Sequence, residues 1–309
     1  MMNGILLELK EVDKSFGRLK AVDGLSFTVR RGEIFSLLGP NGAGKTTAIR
    51  LIAGTLEPDN GDICIGGTPS RRNRSLNNRV GICSQELQLW PMLTCEEQLH
   101  FAGRLNGMDR QETKRRTAML LESIGLSDQR KVLAKNLSGG MQRRLHLLLS
   151  VIHDPDLIIL DEPEAGLDPQ SRIRVREFIH SLSRTSAVLL TTHNMDEAQR
   201  LSSRVAVMDH GTMLVCDTPA ALLQRIAPEE TLEVYYQEPV QKTSELNALE
   251  YSVQFKDASL RITGERLTES VPHILNRLTA LYGNPLTFSL RQSTLEDVFI
   301  KLTGRSLRE

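Results

Sequence analysis

Apolar residues along the chain follow two rhythms. In the first 80 residues they come in short runs and alternations, at 6–12, 25–30, 34–38 and 62–65, each bounded by turn-forming residues, and this predicts four β-strands. One helix interrupts them, starting at Lys45 and carrying Thr46, Ile49, Leu51 and Ile52 to a stop at Gly54. From about 87 to 154 the rhythm becomes helical. Thr94 and Glu97 have capping-box spacing ahead of a helix reaching Leu105, Asp109 to Ile124 forms a second, and a third follows Ser138. Apolar runs return at 157–160, 187–191 and 205–208, with a helix at 170–183 between the first two. Buried runs separated by helices predict a largely parallel sheet and an α/β fold.

Beyond about Pro228 the pattern changes again. Strands are predicted at 231–236, 252–255, 260–263 and 286–290, with a helix at 269–281 and a closing helix capped by Ser293 and Glu296. This reads as a small C-terminal α+β domain over 228–309, behind a larger domain over 1–227 whose helical subdomain occupies about 87–154.

Composition narrows the class. With 40% apolar and 25% charged residues the chain is globular, and Lys plus Arg balance Asp plus Glu at 38 each, which speaks against a nucleic-acid partner. The four cysteines, Cys64, Cys83, Cys95 and Cys216, are widely spaced, so buried, reduced thiols are expected rather than a metal or disulfide framework. The first residues are too briefly apolar for a signal peptide, and no run approaches the roughly 18 apolar residues of a membrane helix. A cytoplasmic chain is expected, and any work at a membrane needs a second chain to span it.

The chemistry begins at Gly39-Pro40-Asn41-Gly42-Ala43-Gly44-Lys45-Thr46-Thr47, which fits G-x-x-x-x-G-K-[ST] between a predicted strand and helix. Glycines there let backbone N–H groups converge on phosphate oxygens at the helix N-terminus. Lys45 is expected to reach the β- and γ-phosphates of ATP and the Thr46 hydroxyl to ligate Mg²⁺. The apolar run 157–160 ends in Asp161 and Glu162. Behind a phosphate loop, Asp161 is expected to complete the Mg²⁺ shell and Glu162 to accept a proton from, or orient, an attacking water.

Between these motifs lies Leu137-Ser138-Gly139-Gly140-Met141-Gln142. It resembles the signature of ATP-binding-cassette (ABC) ATPases, usually LSGGQ, with Met141 in place of the glutamine. The resemblance covers about residues 5–225 and implies the phosphate-loop ABC ATPase fold. It further implies that Gln85 senses Mg²⁺ and water, that Ala165-Gly166-Leu167-Asp168 touches an opposing subunit, that His193 contacts the γ-phosphate and that Phe16 stacks on adenine. Ser138, Gly139 and Gly140 then form a second phosphate site facing a second copy. A head-to-tail dimer closing two ATP molecules between loops and signatures follows.

Three roles fit such an ATPase: a transporter motor paired with a separate membrane-spanning permease, a DNA-repair or chromosome protein, and a translation protein. No coiled-coil heptads separate Lys45 from Glu162, and the chain carries one cassette, which together favour transport. The ending 293–304, STLEDVFIKLTG, resembles that of ABC-2-type exporter ATPases of the daunorubicin-resistance kind and favours export. Trp90, Met92 and Leu93, beside the Gln85 loop, are candidates for meeting the permease at the cytoplasmic face of the membrane.

Overall fold

The computed structural model describes residues 4–70, 78–241 and 251–304, which divide into two compact units at Pro219/Ala220. In the first unit the strands are β1 (Ile5–Phe16), β2 (Leu19–Arg30), β3 (Ile34–Leu38), β4 (Asn60–Ile65), β5 (Thr68–Pro69), β6 (Val80–Cys83), β7 (Leu157–Asp161), β8 (Ala187–Thr192), β9 (Arg204–Asp209) and β10 (Thr212–Asp217). Its helices are α1 (Lys45–Ile52), α2 (Cys95–Leu105), α3 (Arg110–Ser123), α4 (Gly139–Val151), α5 (Pro169–Ser183) and α6 (Met195–Leu201).

Two sheets result. β2, β1, β4 and β5 lie side by side, their adjacent pairs antiparallel; the larger sheet runs β10-β9-β3-β8-β7-β6 and is parallel except at its β10 edge. The apolar runs read from the sequence are its central strands: every residue of β3, β7 and β8 is buried. Their side chains alternate between two cores. Leu157 and Ile159 pack with β1, β2, β4 and α1, whereas Ile158 and Leu160 pack with α2, α3, α4 and α5. A strand buried on both faces needs no polar alternation, which is why it appears as an unbroken apolar run.

The helical lobe starts its helices where the sequence placed them, with Asp109 outside α3 as its cap rather than its first residue. Thr94 accepts from Glu97 N while Glu97 reaches back to Thr94 N, completing the capping box of α2; Asp109 caps α3 and Ser138 caps α4. The elements of this unit that the sequence does not predict are the short β5 and β6, the edge strand β10, and α6.

The second unit holds α7 (Pro219–Ile226), the antiparallel sheet β12-β13-β11-β14 and helices α8 (Leu267–Tyr282) and α9 (Leu295–Thr303). Its strands are β11 (Glu229–Tyr235), β12 (Ser252–Lys256), β13 (Ser259–Glu265) and β14 (Thr287–Arg291). Leu232, Val234, Leu260 and Ile262 of the sheet pack against Leu267, Ile274 and Leu278 of α8. One expectation is corrected here: α9 is capped by Thr294 with Asp297, not by Ser293 with Glu296. The Ser293 hydroxyl is directed to the carbonyl of Glu229, to which it donates.

Candidate functional site

A cleft of about 490 Å³ opens at the carboxyl ends of β3, β6, β7 and β8, where parallel α/β sheets place ligands. Its floor is the turn from β3 into α1. Gly42 and Gly44 have φ of 82° and 100°, and a Cβ on Gly44 would stand 2.3 Å from the carbonyl oxygen of Ala21. Only glycine lets the loop pass so close to β2. Gly39 is equally confined, by the carbonyl of Met208, and the Gly211 amide donates to Ala43 O at 3.0 Å. Among the described residues no side chain caps α1, so the amides of its first turn can receive an anion.

Lys45 is buried, and its ammonium donates to the carbonyls of Gly39 (2.7 Å) and Pro40 (2.9 Å). Burial pulls its pKa below the ordinary lysine value, while the carboxylates of Glu162 and Asp161 oppose that pull. A desolvated cation beside two acids at a helix N-terminus suits a polyanion that brings its own counter-cation.

The acidic strand end lies opposite. Asp161 Oδ1 accepts from the Thr191 hydroxyl of β8, and Asp161 lines the cleft. Glu162 has φ of 52°, uncommon for a residue with a Cβ, and its amide donates to Thr191 O at 3.0 Å. Its Oε1 accepts from His193 N at 3.1 Å and lies 2.8 Å from His193 Nδ1. Phe16 and Leu19, at the tip of the β1–β2 hairpin, form an apolar wall; Phe16 is 48% exposed at the cleft, with the Lys14 ammonium 5.9 Å from its ring centroid.

The cleft thus gathers Phe16, Asn41, Gly42, Gly44, Lys45, Thr46, Thr47, Gln85, Asp161, Glu162 and His193. Gly39, Pro40 and Ala43 shape the loop without lining it. Ser138, Gly139, Gly140 and Asp168 are elsewhere, and they form a second cluster: Ser138 caps α4, Asp168 caps α5, and a Cβ on Gly140 would be 3.5 Å from Asp168 Oδ2. Lys20 and His210 also line the cleft and were not read from the sequence. His210 occupies a tight β9–β10 turn with φ of 46°, for which a His-Gly pair after an apolar run was the available signal. The described residues contain no group of three or more His, Cys, Asp or Glu placed to hold a metal. The oxygens of Thr46, Gln85 and Asp161 fit Mg²⁺, which takes few protein ligands when phosphates supply the rest.

On the helical lobe, Leu87, Trp90, Met92, Phe101 and Leu105 are exposed apolar residues, and the Trp90 and Phe101 rings meet edge-on at 5.2 Å. Leu93 is half-buried. All four cysteines are free; Cys83 and Cys95 are buried, Cys64 and Cys216 half-buried. Among the described residues no helix is long and apolar enough to cross a membrane.

A glycine loop between a parallel strand and a helix, with an acidic strand end facing it, defines a nucleotide-binding ATPase of the phosphate-loop class. Residues 22–165 match the family model described as "ABC transporter". The linearmycin resistance ATP-binding protein LnrL of Bacillus subtilis is 33% identical over 98% of this chain and 100% of its own length. The Nod factor export ATP-binding protein I of Burkholderia lata is 39% identical over 98% of each chain. A solved ATP-binding subunit of an ABC transporter superposes with a TM-score of 0.66 at 28% identity, covering 71% of this chain and 92% of its own. The chain cbiO1 of Clostridium perfringens shares the fold with the same TM-score, 0.66. The chain belongs to the ABC transporter ATP-binding subunits, and it is an ATPase.

Proposed function

We propose that the chain powers export through a separate membrane-spanning permease, resting on the cytoplasmic face of the membrane and acting as a head-to-tail dimer that closes on ATP. The observation that carries export is that the likeness to an export protein and a resistance protein runs through the second unit, with 98% of the chain matched in each. The neutral charge balance supports a role without nucleic acid. The exposed apolar patch at Leu87, Trp90, Met92 and Phe101 is where we place the permease, since such patches on a soluble lobe mark interaction sites.

Within the cleft, adenine stacks on Phe16 and the phosphates lie along the loop 39–47, with the Lys45 ammonium between the β- and γ-oxygens. Thr46, Asp161 and Gln85 would hold Mg²⁺, which would supply neutralisation of the phosphate charge. Glu162 orients the attacking water and takes its proton; His193, whose Nδ1 is 2.8 Å from Glu162, holds that carboxylate in place and offers its other ring nitrogen to the γ-phosphate. The separation of Ser138, Gly139, Gly140 and Asp168 from the cleft supports the dimer. A second phosphate-type helix N-terminus is displaced from the first, and a two-fold partner brings the two together.

Glu162→Gln is the test. It keeps the size of the side chain and removes the base, so nucleotide binding persists, turnover falls by about two orders of magnitude or more, and an ATP-bound dimer accumulates in light scattering. Turnover near that of the parent chain would remove Glu162 from the role of base, and a monomer with ATP would remove the dimer.

A further inference from the structure

Arg143 lies five residues past Ser138 on α4 and is 6% exposed. Its guanidinium makes four hydrogen bonds, all to backbone carbonyls. Nη1 donates to Ser84 O at 2.8 Å and Gln85 O at 2.7 Å, and Nη2 donates to Asp161 O at 2.6 Å and Glu162 O at 2.7 Å. The side chains of those two acids turn the other way, toward Thr191 and His193. Arg143 therefore binds together the backbones of two loops, one after β6 and one after β7, whose Gln85, Asp161 and Glu162 side chains enter the cleft. A planar fork with paired donors can span two loops in this way, whereas an ammonium is a point donor.

The geometry points to Arg143 as the positioning residue that couples the two ATP sites of the dimer, transmitting the seating of one chain's Ser138–Gly140 turn on its partner's nucleotide to Gln85 and Glu162 of the same chain. The inference rests on the head-to-tail reading above. The two ends of the link belong to one rigid body: the turn caps α4, and α4 is packed into the helical core by Leu145, Leu147, Leu148 and Val151. Any tilt that seats the turn moves the guanidinium and the four carbonyls it holds. Glu162 is responsive to such a shift because its positive φ persists only while neighbours hold it, through Thr191 O at its amide and Arg143 at its carbonyl. The buried charge also reaches His146, whose pKa is pushed down to about 4 by burial first and Arg143 second. Binding at one site and catalytic geometry at the other thus share one side chain, as coupling between sites requires.

Arg143→Lys in the full-length chain tests this, read by circular-dichroism melting, mant-ATP binding and ATP hydrolysis against ATP concentration. A folded variant that binds nucleotide within about twofold of the parent, loses kcat by at least about fivefold and shows a Hill coefficient falling toward one is the expected result. Arg143→Gln, an uncharged donor in the same slot, is read identically should the lysine variant not fold. Parental kcat and Hill coefficient in a chain whose Glu162→Gln form dimerises with ATP would overturn the coupling while leaving the dimer standing. Equal losses of nucleotide affinity and turnover would reduce Arg143 to a structural residue and overturn it too. If Glu162→Gln stays monomeric with ATP, the two-site arrangement fails, and the coupling with it.

Discussion

Glu197 of α6 shows what single residues carry behind the cleft. It is 2% exposed, accepts from the Thr192 hydroxyl at 2.5 Å, and that hydroxyl in turn accepts from Asn194 N at 2.9 Å, so the carboxyl braces the turn that presents His193. Burial raises its pKa to about 8 from the ordinary 4.5, with the charges of Glu164 and Glu162 adding to the rise and Thr192 and Arg176 opposing it. Because the folded pKa lies above the unfolded one, the stability it contributes is fully present below about pH 4.5 and is lost as the pH climbs through about 8. Glu197→Gln fixes the neutral form. Its stability relative to the parent should rise steadily between pH 5 and 8 in urea titrations, and a difference independent of pH would contradict a neutral Glu197. Residues of this kind were hidden in the sequence: Glu197 and Arg143 sit in polar helical stretches where a charge reads as solvated, whereas Lys45 and Asp161 stood in motifs whose spacing is itself the chemistry.

Among elements, legibility followed length and burial. β3 was read at its observed bounds, and β7 and β8 within one residue, because strands with no solvent face announce themselves as apolar runs. β6, with four residues and a glycine at its second position, offered too little pattern, and β10, with no buried residue and an exposed Leu214, too little contrast. The cap of α9 was misplaced by one residue because two hydroxyl residues stand side by side, each with an acidic residue three positions on, and only the structure shows Asp297 reaching back to Thr294 while Ser293 turns to Glu229. The α2 entry shows a tertiary bond of the opposite sort. Fully buried Gln98 accepts from Trp90 N at 3.0 Å and donates to Leu93 O at 3.2 Å, fastening the exposed apolar loop to the lobe. Gln98→Leu leaves the Trp90 amide without its acceptor and should destabilise the chain by about 1–3 kcal/mol in denaturant melts. A loss under a few tenths of that would mean the loop is held by its apolar contacts alone.

The molecule as a whole comprises a nucleotide-binding unit and a smaller one with its own sheet and core. The solved ATP-binding subunit covers 71% of the chain, whereas the export and resistance relatives cover 98%. We propose that the second unit serves the exporter rather than the hydrolysis. A chain ending at Pro219 should therefore fold and hydrolyse ATP within a few-fold of the full chain, measured by phosphate release, and a complete loss would place the second unit in the catalytic cycle. Ser138 and Gly140 lie outside the cleft, and in the head-to-tail dimer proposed above they act on the partner's nucleotide. A cell making one sound and one signature-damaged version of the chain assembles many dimers in which the damaged version spoils the site on the sound one. Lesions at the turn of α4 should behave as dominant, their severity set by gene dosage rather than by how much intact protein remains.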